Sequence, residues 1–242
     1  MRFDEQNIYI LHTYPFKETS LLVEVFSEHY GRLSLLAKGA RRPRSLLRGY
    51  LQPFQQVQGT WSGSGDLKTL FSVEWTSKYL GLQEQGLVCG FYMNELLIKL
   101  LPKDEPVQNF FNFYHSCLHQ LSFSKEYEKI LRRFEIKLLE ELGYQVKLLV
   151  DEDENEIMAD QLYRFEAEYG ASLLDKTNQG IKLRGKTLLD MANDDYQDPV
   201  TVKESKSLMR YLINFYMGNE TLKTKELFLK MKWKENEAWG KY

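Results

Sequence analysis

The sequence predicts an α+β chain: a small five-stranded antiparallel barrel, then a mostly α-helical region interrupted by a loop-rich insertion. Three observations carry this. Up to about residue 80 apolar residues recur with the two-residue period of strands. Past Gly81 the period becomes that of helices, and between residues 145 and 185 both periods fail in a polar, acidic stretch. The boundaries fall at 1–80 for the barrel domain and 81–242 for the helical domain, with the insertion at about 145–185.

In the first strand Ile8, Ile10 and His12 alternate with Tyr9, Leu11 and Thr13. Strands at 22–26, 33–37, 54–61 and 67–75 follow. They are separated by Tyr14-Pro15, by the run Glu28 to Gly31, by a basic loop and by Ser62-Gly63-Ser64-Gly65. Five short strands in this length suit an oligonucleotide-binding (OB) barrel, and propensity alone equally allows an SH3-like one. Phe26 and Phe54 are expected in the core.

Residues 87–101 are apolar on all sides and stop at Pro102, which predicts a central helix. Val107, Phe110, Phe111, Tyr114, Leu118 and Leu121 form one helical stripe. Tyr127, Ile130, Leu131, Phe134, Leu138 and Leu142 form another, ended by Gly143. Asp198-Pro199 reads as the cap and first residue of a helix reaching Met217, with Gly218 just past its end. Within the insertion a short hairpin is expected around 162–165.

Several function classes drop out. No apolar run approaches the roughly 18 residues of a membrane span, and the acidic start Met1 to Gln6 lacks the basic-then-apolar order of a signal peptide. A cytoplasmic protein is expected. Cys89 and Cys117, the two cysteines, read as small buried hydrophobes. Asp151, Asp153 and Asn155 open like a calcium loop, but Glu156 and Leu162 stand where that loop needs Gly and Glu. His115 and His119 have helical metal-ligand spacing, yet no acidic residue lies anywhere from Val107 to Ser124. There is no phosphate-cradling loop and no nucleophile elbow. The chain reads as non-catalytic, with no metal and no cofactor.

One segment stands out. Between Glu28 and Asp66 there is no acidic residue, yet Arg32, Lys38, Arg41, Arg42, Arg44 and Arg48 crowd in, although the whole chain carries a formal charge of only -2. Fixed cations beside strands suit a polyanion, because neutralising phosphates releases condensed counterions. Gly39 permits a sharp turn between Lys38 and Arg41, and Pro43 stiffens the loop. Aromatics such as Tyr14, Phe16 and Tyr30 would offer faces for base stacking. The competing reading is a protein-interaction adaptor whose basic loop meets an acidic partner tail.

The ordered set of motifs resembles the RecO family of recombinational DNA repair proteins. His12 to Leu21, Phe26 to Arg32, Ala37-Lys38-Gly39-Ala40-Arg41 and Leu51-Gln52-Pro53-Phe54 carry the resemblance in the barrel. Tyr92 to Leu97, Leu131-Arg132-Arg133-Phe134-Glu135, Leu142-Gly143-Tyr144 and Leu222 to Phe228 continue it to the C-terminal region. The resemblance implies an OB barrel followed by a mostly helical domain. It further implies binding of single-stranded (ssDNA) and double-stranded DNA (dsDNA), annealing of complementary strands, and help in placing the recombinase RecA on DNA coated with single-strand-binding protein. RecR is the implied partner, and the implied place of action is the nucleoid. Family members holding zinc do so through four cysteines within what is here 145–180. This chain has neither Cys nor His there, so a zinc-less subregion is expected. Members hold the acidic tail of single-strand-binding protein with an arginine of the Leu-Arg-Arg-Phe-Glu block. That points to Arg132 and Arg133, with Leu96 and Tyr92 lining a pocket. Lys223, Lys225, Lys230, Lys232 and Lys234 are expected to give a secondary DNA contact.

Overall fold

Alternation of apolar residues over the first 75 positions closes a barrel. The computed structural model describes residues 1–76, 80–82, 84–174, 180–218 and 220–225. These group into two units, Met1–Lys125 and a second beginning at Glu126. The first contains β1 (Arg2–Phe16), β2 (Ser20–Ser27), β3 (Gly31–Ala37), a one-turn helix α1 (Leu47–Tyr50), β4 (Gln56–Ser62) and β5 (Leu67–Trp75). The strand order is β1-β2-β3-β5-β4, closed by β4 on β1. All pairings are antiparallel except β3 with β5, which is parallel. This order is that of an OB barrel and removes the SH3-like alternative.

Ile8, Ile10, Val23, Val25, Leu33, Leu35 and Val57 fill the interior, each essentially inaccessible to water. Such burial is worth about 1.5–3 kcal/mol per large side chain. Phe3 stacks on Trp61 (5.6 Å) and Tyr30 meets Trp61 edge-on (5.9 Å), closing one end of the barrel. At the other end Ala37, Ala40 and Leu51 are buried, with Leu47 and Tyr50 packed against them.

Residues 8–11 are buried on both faces of β1, which masks their alternation in the sequence. The outer face is covered by α2 (Glu84–Leu100) and α3 (Gln108–Phe123). Tyr9 packs against Phe111 and Tyr114, and burial pushes its phenol well above the usual range. A bulge between Ile10 and His12 frees the Leu11 carbonyl, which accepts from Asn94 Nδ2 at 2.8 Å. Tyr114 donates its hydroxyl to Asn94 Oδ1, so one buried amide ties both helices to the bulge. Cys89 and Cys117 are both buried and unbridged. Phe26 and Phe54 are core residues, as expected.

The turn between β2 and β3 shows why Gly31 is glycine. Its φ is +66°, and a Cβ there would sit 1.8 Å from the Glu105 carbonyl oxygen. Next to it, the Asp104 N–H donates to the Arg32 carbonyl (2.9 Å). Gly31→Ala combines left-handed strain with a backbone clash, an expected loss of about 3 kcal/mol. Urea unfolding should show this as a lower midpoint at unchanged slope.

The second unit contains α4 (Tyr127–Glu141), β6 (Leu162–Glu166), β7 (Gly170–Leu173), β8 (Ile181–Arg184), α5 (Gly185–Ala192) and α6 (Pro199–Met217). The expected hairpin is part of a three-stranded antiparallel sheet, β7-β6-β8. Tyr163, Phe165 and Leu183 from this sheet share a core with Leu139, Leu188, Leu208 and Leu212 from the helices. The acidic run 151–156 forms a tight turn rather than an open chain. Asp151 Oδ1 accepts from the backbone N–H groups of Asp153 (3.0 Å) and Asn155 (2.8 Å). Asp198 caps α6 by accepting from the Val200 N–H (2.8 Å), with Pro199 in the first turn, as the sequence predicts. Among the described residues no helix is long and apolar enough to cross a membrane.

Candidate nucleic-acid interface

The basic loop leaves the barrel where β3 ends. Ala37 and Ala40 are fully buried, while Lys38 and Arg41 are exposed. The Ala-Lys-Gly-Ala-Arg run is therefore a turn pinned at two small apolar corners. Gly39 sits between them at φ +69°, the conformation that needs no Cβ. The Arg42 N–H closes back on the Gly39 carbonyl (3.0 Å) and the Ser45 N–H on that of Arg42 (3.0 Å). The loop then runs into α1, whose partner Leu51 is again buried.

Arg41 fastens this loop to the turn between β1 and β2. Its N–H donates to the Thr19 carbonyl (2.8 Å) and its Nη1 to the Lys17 carbonyl (3.2 Å). That brings Lys17 alongside, a cation the sequence reading left out because it lies outside the acid-free segment. Its ammonium lies 5.6 Å from the centre of the Phe16 ring. Lys38, Arg41, Arg42, Arg44 and Arg48 are all exposed. Among the described residues none of the five pairs with a carboxylate. The result is a set of unneutralised cations on a braced loop at one end of the barrel.

Arg32 stands apart from these five. Its Nη1 lies 3.2 Å from Glu24 Oε2, its Nε donates to the Leu101 carbonyl (2.9 Å), and Ser34 Oγ donates to the other Glu24 oxygen (2.6 Å). Its charge is spent inside the unit, where it stitches β2 and β3 to the end of α2. Among the aromatics, Tyr14 is partly exposed and meets His12 edge-on at 4.4 Å. Phe16 is half-buried, and Tyr30 belongs to the core against Trp61.

A second cationic cluster lies in the unit beginning at Glu126. Arg132 on α4 is nine-tenths buried and pairs with Glu135 at 2.6 Å. Among the described residues its Nε and Nη1 have no hydrogen-bond partner, and neither has the nearby Tyr196 hydroxyl. Lys206 on α6 is half-buried beside Arg132 and Arg210. Its ammonium is lowered to about 8, mainly by burial and then by those two arginines, with Glu128 and Glu135 opposing. Arg133 is more exposed and lies 3.8 Å from Asp194, which also holds Lys129 at 3.1 Å. Lys206 escaped the sequence reading because α6 mixes bases and acids that look like an ordinary solvated face. Tyr92 and Leu96 are on α2 of the first unit; Tyr92 is half-buried and Leu96 is fully enclosed in the core, offering no surface. Lys223 and Lys225 are exposed, while Lys230, Lys232 and Lys234 lie outside the described residues.

The chain matches two family descriptions in tandem, "Recombination protein O N terminal" over residues 1–79 and "Recombination protein O C terminal" over 85–226. It is 44% identical over 229 residues to the DNA repair protein RecO of Nitrosospira multiformis, covering 93% of this chain and 95% of that one. It is 42% identical over 231 residues to the protein of that name from Azoarcus sp., again covering 93% and 95%. The corresponding protein of Dechloromonas aromatica is 43% identical over 231 residues, covering 94% and 96%.

Proposed function

As the chain belongs to the RecO family of DNA repair proteins, we propose that it is a recombination mediator that binds ssDNA and dsDNA through the loop of its barrel. Lys38, Arg41, Arg42, Arg44 and Arg48, with Lys17, contact phosphates. Arg32 holds the barrel in shape behind them. The observation that carries this reading is five exposed cations, without carboxylate partners among the described residues, on α1 and on the loop before it, which is pinned at Ala37 and Ala40. Phosphate contacts fix position and read no bases, so binding is independent of sequence. Neutralising two strands at once removes their mutual repulsion and lets complementary bases meet, so annealing needs no nucleotide. The protein acts without catalysis, metal or cofactor, in the cytoplasm on the chromosome.

Recruitment runs through the second unit. The acidic tail of single-strand-binding protein ends in a carboxylate. The two donors of Arg132 without a partner among the described residues, next to Lys206, supply the charge-assisted hydrogen bonds and point charge such a group requires. RecR joins the complex, and RecA is loaded onto the strand so prepared.

A salt series tests the barrel reading. Anisotropy of labelled single strands should give log affinity falling linearly with log salt, at a slope of about -0.7 for each phosphate contacted. A salt-independent affinity would favour the adaptor reading.

A further inference from the structure

One exposed aromatic is unexplained by packing. Trp75, the last residue of β5, is 57% exposed. Apolar residues scattered singly on a surface need no explanation. Trp75 differs in what surrounds it.

Its position follows from the register. β3 and β5 run parallel, with Ala37 beside Leu70, so β3 stops while β5 continues to Trp75. Trp75 pairs with Val57 at the start of β4. The end of β3, the start of β4 and the end of β5 thus lie at one end of the barrel. The basic loop emerges at that same end. α1 packs on β5, and Tyr50 meets Trp75 edge-on, with centroids 5.4 Å apart at 70°. Tyr50 is itself anchored in the barrel core. The indole is therefore held against Tyr50, which lies two residues along the chain from exposed Arg48. Glu74 next to it belongs to the other face of the strand by alternation.

We propose that Trp75 is a base-stacking platform for single-stranded nucleic acid, with Tyr50 as the residue that positions it. A strand whose phosphates follow Arg41, Arg42, Arg44 and Arg48 brings an unpaired base onto the indole face. The occupant is a single strand because the neighbouring charge is cationic and an indole that is more than half exposed offers a π-face to any base. A duplex keeps its bases stacked inside and gains nothing from the ring. This deepens the reading of the barrel loop as the DNA site and rests on it.

The experiment compares wild type, Trp75→Ala and Trp75→Phe for binding an oligothymidylate and a blunt duplex of equal length. Trp75→Ala should weaken oligothymidylate binding about tenfold, leave the duplex within twofold, and keep the wild-type circular dichroism spectrum. Trp75→Phe should retain most of the single-strand affinity. An equal loss on both substrates would mean that the ring only braces the loop and would overturn the proposal, as would unchanged single-strand affinity in Trp75→Ala. If wild type itself bound neither substrate, the barrel reading would fail instead, and the wild-type arm reports that separately.

Discussion

Alanine at Arg41, Arg42 and Arg44 together is expected to weaken binding of ssDNA and dsDNA alike, by roughly 50- to 150-fold at about 0.15 M salt if each arginine engages one phosphate. The reasoning is counterion release: each contact frees about 0.7 to 0.9 of a condensed cation, so three lost contacts also flatten the log-log salt slope by about two to three. The loss should be the same for every sequence. Stability should hardly change for Arg42 and Arg44, which have no acidic partner to lose among the described residues. Arg41 also fastens the loop through its side-chain bond to the Lys17 carbonyl, so its single variant should lose more than those of its neighbours. Anisotropy with the triple and single variants checks both statements.

The second large effect belongs to Arg132. Replacing it with alanine should lower affinity for a peptide of the acidic tail at least ~10-fold, since hydrogen bonds to charged groups carry about 1.5–3 kcal/mol. DNA affinity should stay unchanged. The single variant strands Glu135 in the interior, at a cost of about 3–5 kcal/mol, so Arg132→Ala with Glu135→Gln is the cleaner test of binding. Lys206 adds a pH signature. Below about pH 8 its ammonium is already charged beside Arg132; above it the group is neutral and must take up a proton to meet a carboxylate. Tail affinity should therefore fall as pH rises through about 8. Removing Arg132 takes away a repelling neighbour, so the fall should move to higher pH. Calorimetry in two buffers would also read the proton uptake.

The barrel and the long helices were legible because their signals are local. Two-residue alternation, Pro102 and the Asp198-Pro199 cap are all visible within a few residues of the elements they define. β8 and α5 were not legible, since Ile181–Arg184 is too short for a period to show and gains its place only by pairing with β6. The same distinction runs through the candidate site. The exposed cations of the loop stood out as a charge run, whereas the internal ties of Arg32 depend on Glu24 and Leu101, eight and 69 residues away in sequence. Trp75 and Tyr30 could not be ranked by sequence. One closes the barrel and the other ends on its rim, a difference fixed by strand register alone.

The central claim is that a nucleotide-independent electrostatic surface brings DNA strands together. Its most direct test is annealing of two complementary labelled oligonucleotides, followed by energy transfer without ATP. Wild type should accelerate annealing well above the spontaneous rate, and the Arg41, Arg42 and Arg44 triple variant should fall back towards that rate. Annealing by the triple variant at the wild-type rate, or none by wild type at any salt, would contradict the account.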